Sequence, residues 1–359
     1  MGPTSSGYWK RIISIRSRTF RCMNGEVKLN FIEALPEAFF EIDHPGELIN
    51  VFDGPTLISL EGAASEPLMI STLLHGNETT GFYALQQLLR RYQGRLPRSL
   101  LIFFGNVQAA SEGVRHLPGQ PDFNRIWGGG EFPEARMARQ VLEYARRRQV
   151  IANVDIHNTT GRNPYYACVN RTSEDFLRLA TGFTDIVIYF TEPHEVNSNA
   201  FAKICPSVTL ECGLPGVPEG VAHLYQYLEK LLLTVGCDEK TTGDCRIYHT
   251  VARLKLPYYC KFDFEFEEYT ESDFSFTQSF DHFNFQRISK GTVIAYTRRN
   301  GPHLAVLDNH DRLVTEKYFA FEDGKVIALQ DLIPSMFTTV KDVAREDSLG
   351  YLMEPYSGE

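Results

Sequence analysis

The chain has 359 residues, enough for one large or two medium domains. Of these residues 43% are hydrophobic and 23% are charged, which is the composition of a globular protein. Its net charge of −9 leaves no excess of Lys and Arg to neutralise phosphates, which argues against nucleic acid as a partner. No apolar stretch approaches the ~18 residues that a membrane span needs, so we expect no membrane partner.

Cysteine usage and the N-terminal segment bear on the compartment. The segment lacks the apolar core of a secretory signal. Its basic run up to Cys22 has a faint transit-peptide character, and Gly2 with Ser6 nominally fits a weak myristoylation pattern. The seven cysteines form no Cys-x-x-Cys pair, which is typical of free thiols in a reducing compartment. We therefore expect a cytoplasmic protein, and we interpret Cys212 as a packing residue rather than a nucleophile.

Apolar strands and amphipathic helices alternate over residues 56–235. Helical spacing of apolar residues appears in four segments, which begin near Glu78, Pro133, Ser173 and Leu224. This rhythm predicts an α/β fold with a mixed, largely parallel sheet flanked by helices on both faces.

The segments on either side of this region have β character. Residues 1–60 are predicted as mixed β structure and connectors, in which residues 47–52 form the clearest run. Beyond a polar linker at 237–244, short β-prone runs separated by turns predict a smaller C-terminal β domain. The predicted domains are therefore 1–236 and 237–359.

The apolar run at residues 67–74 predicts a buried strand that ends at His75, Gly76, Asn77 and Glu78. The glycine lets the chain turn, and a His and a Glu three positions apart can point at one metal ion. Imidazole and carboxylate are ordinary Zn²⁺ ligands, and a catalytic zinc commonly has three protein ligands. The pair alone is a weak signal, because most such pairs are surface accidents.

Two further apolar strands also end at polar side chains. One ends at His157, and Asp155 lies two residues earlier, where it can fix the imidazole ring. The other ends at Glu211, a candidate general base toward a water whose pKa a metal lowers. Because sites in open α/β sheets gather at the carboxyl ends of strands, His157 and Glu78 can converge. The alternative for each residue alone is a polar group satisfied in a turn or at the surface.

A strand predicted at residues 99–105 leads into a segment with two notable arginines. Arg115 is a candidate for polarising a scissile carbonyl, because its guanidinium is always charged and donates in pairs. Asn124 and Arg125 are candidates for holding a substrate carboxylate. Taken singly, each arginine is more often a solvated surface charge.

In chain order, these motifs are His-Gly-Asn-Glu, Asn-x-x-Ala with a downstream Arg, Asp-x-Asn-Arg, Asp-x-His-Asn-Thr-Thr and Glu-x-Gly. They resemble those of the succinylglutamate desuccinylase/aspartoacylase family, within the zinc carboxypeptidase superfamily, over roughly residues 65–235. The resemblance implies a zinc carboxypeptidase-like fold, one Zn²⁺ per chain, and a C-terminal β domain that narrows the mouth of the site. It also implies roles for nine residues: metal ligation by His75, Glu78 and His157, catalysis by Glu211 and Arg115, and substrate binding by Asn124, Arg125, Asn158 and Thr159.

The function expected from this resemblance is zinc-dependent hydrolysis of the amide bond of a small N-acyl amino acid. One alternative is a carboxypeptidase-like metallopeptidase, which would have an open cleft. Another is a non-catalytic metal-binding protein on the same scaffold, which would have lost a ligand or the base. The absence of a Gly-x-Ser-x-Gly motif argues against a serine hydrolase. The ligand set also accepts Co²⁺ or Ni²⁺, and homo-oligomer formation stays open.

One segment departs from the family pattern. Aspartoacylase-like members carry a further substrate-binding arginine about ten residues before the catalytic glutamate, whereas residues 197–203 contain no arginine and only Lys203 as a cation. The tyrosine that completes the family's site from the C-terminal domain has no clear counterpart, and Tyr318 is a weak candidate. Since an unpaired carboxylate is costly to bury, we expect N-acyl substrates less acidic than N-acetylaspartate to be preferred.

Overall fold

The computed structural model describes residues 27–234, 245–268, 271–298 and 304–358. Within them, every helix is too short or too polar to traverse a bilayer. The transit-peptide and myristoylation patterns and the polar linker at 237–244 lie outside the described residues.

Strands and helices alternate through most of the described chain. The strands are, in chain order, β1 (Asn30–Ile32), β2 (Thr56–Leu60), β3 (Ala64–Thr72), β4 (Arg98–Phe104), β5 (Ala152–His157), β6 (Tyr166–Val169), β7 (Ile186–Tyr189), β8 (Ser207–Glu211), β9 (Arg246–Lys255), β10 (Phe262–Asp263), β11 (Phe274–Phe276), β12 (Val293–Thr297), β13 (Ala305–Asp308), β14 (Phe319–Glu322), β15 (Lys325–Ala328), β16 (Ile333–Ser335) and β17 (Gly350–Pro355). The α-helices are α1 (Ala38–Glu41), α2 (Ile49–Phe52), α3 (Thr80–Arg91), α4 (Val107–Glu112), α5 (Pro133–Arg147), α6 (Glu174–Phe183), α7 (Asn197–Phe201), α8 (Pro218–Thr234), α9 (Thr315–Tyr318) and α10 (Lys341–Glu346).

Two sheets organise the described residues, one of twelve strands and one of five. The larger sheet has the order β1-β2-β4-β3-β5-β8-β6-β7-β9-β17-β16, and β13 pairs with β9. Its centre, β4-β3-β5-β8, is parallel throughout, while β2 and β6 join that centre in antiparallel fashion. The predicted α/β fold with a mixed, largely parallel sheet is confirmed.

Helices cover both faces of the large sheet. Along β3, Leu68 and Ile70 join the hydrophobic cluster beneath α3, α6 and α8, whereas Met69 joins the cluster beneath α5. The alternation follows from the strand's period of two, which sends successive side chains to opposite faces. The sheet therefore lies between two apolar layers, as the strand–helix rhythm predicted.

Local sequence signals explain where the larger helices begin. α5 starts at Pro133, whose fixed φ suits the first helical position. α6 follows Ser173 as predicted, but the Ser173 hydroxyl donates to Asp175 Oδ1 at 2.6 Å and does not cap a helix N–H. The predicted helices after Glu78 and around Leu224 are α3 and α8.

Residues 47–52 are helical, so the predicted β character there is wrong. A 3-10 helix at Pro45–Leu48 runs directly into α2. Proline at the first helical position, together with the Glu47 carboxylate accepting from the His44 N–H at 3.1 Å, favours a helical start. Asp53 then ends the segment in the left-handed region, with φ 59°. These terminal signals outweigh the β propensity of the apolar residues between them.

The C-terminal part of the chain is rich in strands, as predicted. β10, β11, β12, β14 and β15 form the separate five-stranded sheet, which has its own hydrophobic cluster. The hairpin of β14 and β15 turns at Asp323 and Gly324, both left-handed as a two-residue turn requires. By contrast, β9, β13, β16 and β17 extend the large sheet. The boundary between residues 236 and 237 stays a prediction, because residues 235–244 are not among those described.

Candidate active site and metal centre

Three neighbouring parallel strands bring the candidate residues together at their carboxyl ends. His75 and Glu78 follow β3, His157 closes β5 and Glu211 closes β8. β3, β5 and β8 are consecutive in the sheet, and His157 is the register partner of Glu211. The convergence predicted from the strand-end positions is present.

The turn that carries His75 depends on close packing. A Cβ atom on Gly76 would lie 2.2 Å from the backbone carbon of Ala109 in α4, a distance that only glycine tolerates. The Gly76 N–H donates to the Arg115 carbonyl at 3.0 Å. Just before the turn, the buried Leu73 has a φ of 53°, a strained conformation for a bulky residue. The surrounding core therefore imposes the backbone path that presents His75.

His75, Glu78 and His157 form a compact buried triad. The Glu78 carboxylate lies between the two rings, with Oε1 2.7 Å from His75 Nδ1 and Oε2 2.8 Å from His157 Nδ1. One ligand atom from each of the three residues lies within 4.8 Å of the others. Two imidazoles and a carboxylate at this spacing can hold a divalent metal ion.

The second nitrogen of each ring is held by another carboxylate. His75 Nε2 lies 3.0 Å from Asp122 Oδ1, and His157 Nε2 lies 3.0 Å from Asp155 Oδ2. An Nε2–H that donates to a carboxylate fixes the tautomer that leaves the Nδ1 lone pair for a metal. The donor set therefore fits a metal centre. The contact of Asp155 is the one expected from the sequence, whereas the contact of Asp122 was not predicted.

Charge is strongly coupled within the triad. Burial opposes ionisation of Glu78, but the His75 and His157 rings outweigh it and hold the pKa of the carboxyl below its usual range. Burial likewise opposes the charged form of His157, but Asp155 and Glu78 raise its pKa above the ordinary value. The metal-free triad thus keeps a proton on His157, in the place where a cation would bind.

Glu211 differs from the other acidic groups of the site because its charge is poorly compensated. Its side chain is buried, and Oε2 has no hydrogen-bond partner among the described residues. Burial raises the pKa of Glu211 to about 8, and the negative charge of Glu78 adds to this effect. A basic carboxylate with one free oxygen, next to a triad that can hold a metal ion, has the properties of a general base.

Arg115 is oriented toward the triad by Asp122. Its Nη2 donates to Asp122 Oδ2 at 2.9 Å, and Nη1 lies 3.8 Å from Glu78 Oε1. Arg125 follows Asp122 by three residues, and its Nη1 donates to the Asn124 carbonyl at 2.9 Å. Both arginines are partly exposed, so each guanidinium keeps donors for a ligand.

The amides of Asn124 and Asn158 are engaged with the protein. Asn124 Oδ1 accepts from the Asn197 N–H at 2.9 Å. Asn158 Nδ2 donates to Thr80 Oγ1 at 2.9 Å. These contacts fix the polar walls of the site and leave few hydrogen-bonding positions for a ligand.

Thr159 shows the same pattern, since its hydroxyl donates to the Gly161 carbonyl at 3.2 Å. Both Thr159 and Asn158 nevertheless line a pocket in front of the triad. The remaining lining residues come from the triad side and from the C-terminal part of the chain: Asn77, Glu78, Arg115, Thr160, Pro215, Met336, Val343, Asp347, Ser348 and Tyr351. Residues from both parts of the chain therefore line the pocket.

Two positions singled out in the sequence lie away from this pocket. Tyr318 is buried in the hydrophobic cluster of the C-terminal part and does not line the pocket, whereas Tyr351 does. In the segment where the family carries an arginine, Phe201 is fully buried and Lys203 is exposed. The described residues therefore offer no cation to the site from α7.

Comparison with known proteins identifies a family whose sequence model matches part of the chain. Residues 65–217 match the sequence model of the succinylglutamate desuccinylase/aspartoacylase catalytic domain. The matched segment contains all nine predicted site residues. This segment, which is less than half of the chain, is similar to the succinylglutamate desuccinylase/aspartoacylase catalytic domain.

Individual relatives agree with this family. A succinylglutamate desuccinylase of Yersinia enterocolitica is 37% identical over 82 residues, which is 22% of this chain and only 24% of the relative. A succinylglutamate desuccinylase/aspartoacylase structure from Rhodobacter sphaeroides has a TM-score of 0.55 at 14% identity, over 83% of this chain and 88% of its own. A succinylglutamate desuccinylase structure from Chromobacterium violaceum has a TM-score of 0.51 at 17% identity, over 82% and 86%. The two structures show a shared fold.

The segment that matches the family model contains a cysteine next to Glu211 that packs in the hydrophobic core. Cys212 is buried in the cluster beneath α3, α6 and α8, and burial raises the pKa of its thiol. A protonated, buried thiol is a poor nucleophile. The interpretation of Cys212 as a packing residue is confirmed.

Proposed function

We propose that this protein is a zinc-dependent hydrolase that cleaves the amide bond of N-acyl amino acids. The observation that carries the proposal is the triad of His75, Glu78 and His157 beside Glu211, whose Oε2 has no hydrogen-bond partner among the described residues. The match of residues 65–217 to the succinylglutamate desuccinylase/aspartoacylase model supports N-acyl amino acids as the substrate class.

His75, Glu78 and His157 would hold the metal, through Nδ1 of each ring and the carboxylate between them. A zinc ion bound there would supply Lewis acidity, which lowers the pKa of a water molecule and polarises a carbonyl oxygen. Asp122 and Asp155 keep both rings in the orientation that binding needs.

Glu211 would take the proton of the attacking water and return it to the departing amine. Its buried Oε2 has no competing partner within the described residues, so the carboxylate is available for proton transfer. Arg115, held by Asp122 and facing Glu78, would donate to the oxygen on which negative charge develops.

Arg125 and Asn124 would orient the substrate through its carboxylate. Arg125 is partly exposed and keeps donors available, whereas Asn124, whose Oδ1 accepts from the Asn197 N–H, would chiefly hold the Asn197 backbone in place. Asn158 and Thr159, also bonded internally, would form a rigid wall of the substrate pocket.

The wall that the C-terminal part of the chain adds to the pocket favours a small substrate over a peptide. Five of its lining residues, Met336, Val343, Asp347, Ser348 and Tyr351, come from the part of the chain that follows the catalytic domain. A carboxypeptidase-like enzyme would need an open cleft on this side. The non-catalytic alternative lacks support, because all three candidate ligands and the candidate base are present.

The proposal is tested by Glu211→Gln, with Glu143→Gln as the matched control on the exposed face of α5. An amide cannot take the water's proton, so we expect Glu211→Gln to retain metal and fold but to lose at least ~10²-fold in kcat on an N-acyl amino acid panel. The control should hydrolyse like the wild type. A wild-type protein with stoichiometric zinc that hydrolyses no member of the panel would contradict the proposal.

A further inference from the structure

Tyr166 carries a buried hydroxyl that the reaction proposed above does not use. The side chain is 0% exposed, and its OH has no hydrogen-bond partner among the described residues. Its ring packs against Phe285, with centroids 5.1 Å apart, in an apolar cluster with Ile186 and Met353. A phenylalanine would fill this space without an unsatisfied polar group, which is costly to bury. The hydroxyl is therefore a candidate for a functional role.

The strand register directs this hydroxyl toward the site. Tyr166 on β6 is the antiparallel partner of Glu211 on β8, and Glu211 is in turn the parallel partner of His157 on β5. Register partners project to the same face of a sheet and lie close together. Glu211 thus has His157 on one side and Tyr166 on the other.

The two unpartnered groups are complementary. Tyr166 offers an O–H donor, and Glu211 Oε2 is an acceptor that has no partner within the described residues. Rotation about the terminal torsion of a glutamate is soft, so the carboxylate can turn toward a donor at little cost. Burial, followed by the charge of Glu211, raises the pKa of Tyr166, so its hydroxyl keeps its proton at neutral pH.

We propose that Tyr166 is a positioning residue whose hydroxyl donates to Glu211 Oε2 in the metal-loaded protein. This inference rests on the proposed role of Glu211 as the base. One carboxylate oxygen is then tied to the phenol, and the other is directed toward the water that it deprotonates. Hydrogen bonds to an ionised acceptor are stronger than those between neutral groups, so a single donor suffices to fix the rotamer.

Tyr166 acts through Glu211 and not through the substrate. It does not line the pocket, whereas Tyr351 does, among the residues that the structure describes. Its loss should therefore lower kcat and leave KM nearly unchanged. Removal of comparable supporting partners costs roughly 10–100-fold in activity, and we expect about tenfold here.

The test compares Tyr166→Phe with the matched control Tyr227→Phe. Tyr227 is also buried, but its hydroxyl is satisfied and donates to the Leu179 carbonyl at 3.1 Å, between α8 and α6. We expect Tyr227→Phe to lower Tm in both the metal-free and the zinc-loaded protein, with kcat unchanged. Tyr166→Phe should leave the metal-free Tm equal or higher, lower the zinc-loaded Tm, and reduce kcat about tenfold with KM within about twofold.

A third variant checks that the effect passes through Glu211. In a Glu211→Leu background the acceptor is gone, so Tyr166→Phe should no longer lower the Tm of the zinc-loaded protein. If the metal-free Tm of Tyr166→Phe falls like that of the control, the hydroxyl makes a structural hydrogen bond. If Tyr166→Phe has the Tm, kcat and KM of the wild type, the hydroxyl has no role in the site. Either result overturns the inference. If the wild type hydrolyses no N-acyl amino acid, the proposed function fails, while the Tm comparison still decides whether Tyr166 bonds to Glu211.

Discussion

Asp122 Oδ1 lies 3.0 Å from His75 Nε2, although the two residues are 47 positions apart in sequence. The same carboxylate accepts from Arg115 through Oδ2 at 2.9 Å. One side chain therefore orients both a candidate metal ligand and the candidate oxyanion donor. Burial opposes its ionisation, but His75 and Arg115 hold the pKa of Asp122 below its usual range.

Asp122→Asn should weaken metal binding because the amide is a poorer acceptor for the His75 ring. We expect roughly 10–100-fold lower zinc affinity, measured by competition with a chelator. Asp53→Asn, at an exposed left-handed turn that asparagine tolerates, is the control. Unchanged affinity in Asp122→Asn would mean that His75 is held by other contacts.

Gly76→Ala should disrupt the turn that presents His75. The added Cβ would lie 2.2 Å from the Ala109 backbone, which cannot yield as a side chain can. We expect a loss of about 3 kcal/mol or more in the free energy of unfolding, at the upper end of overpacking effects, together with weaker metal binding. Gly182→Ala is the control, because it lies in α6 and its Cβ would meet only the Tyr227 ring, at 3.2 Å. A Gly76→Ala protein as stable as the wild type, as judged by denaturant unfolding, would contradict this packing argument.

Much of the site could be predicted from the sequence because its residues follow strand ends directly. The positions after β3, β5 and β8 are visible in the local pattern, and the sheet then brings those ends together. Tyr166 and Asp347 were not assigned roles, because Tyr166 lies beside Glu211 through strand register and Asp347 lines the pocket through a distant return of the chain. Asp122 belongs to the Asp-x-Asn-Arg motif but was given no role, because its contact with His75 spans 47 positions of the sequence. No local periodicity carries that information.

The same reason explains the limits of the fold prediction. The sequence indicated strands in the C-terminal part, but not that β9, β16 and β17 extend the large sheet, since strand pairing joins distant segments. Residues 47–52 were misassigned because the terminal signals at Pro45 and Glu47 outweigh the apolar pattern. Capping contacts of this kind would have been the sequence signal to use.

Zinc affinity should rise with pH through the neutral range. The pKa of His157 lies above its ordinary value because Asp155 and Glu78 outweigh burial, so the metal-free protein binds a proton there that the metal must displace. Affinity is therefore lowest at acidic pH, and binding releases protons at neutral pH. Calorimetric titrations at pH 6, 7 and 8 in buffers of different ionisation enthalpy measure both effects. Affinity that is independent of pH, without proton release, would rule out His157 as the proton-bearing ligand.

We expect the protein to disfavour N-acyl amino acids that carry a second carboxylate. Asp347 lies in the pocket wall, while Phe201 and the exposed Lys203 leave α7 without a cation at the site. We therefore expect N-acyl substrates less acidic than N-acetylaspartate to have the higher kcat/KM. Asp347→Asn should raise kcat/KM for N-acetylaspartate about tenfold, since it removes a like charge, whereas Asp342→Asn on the exposed side of α10 should not. A panel headed by N-acetylaspartate or N-succinylglutamate would disprove this preference.

The most direct test of the central claim is the rate of N-acyl amino acid hydrolysis by chelator-stripped protein during titration with Zn²⁺. We expect no hydrolysis without metal, full activity at one zinc per chain, and no recovery in His157→Ala at the same zinc concentration. His310→Ala, an exposed histidine far along the chain, should recover like the wild type. Hydrolysis by the stripped protein, or full recovery by His157→Ala, would contradict a zinc centre formed by His75, Glu78 and His157.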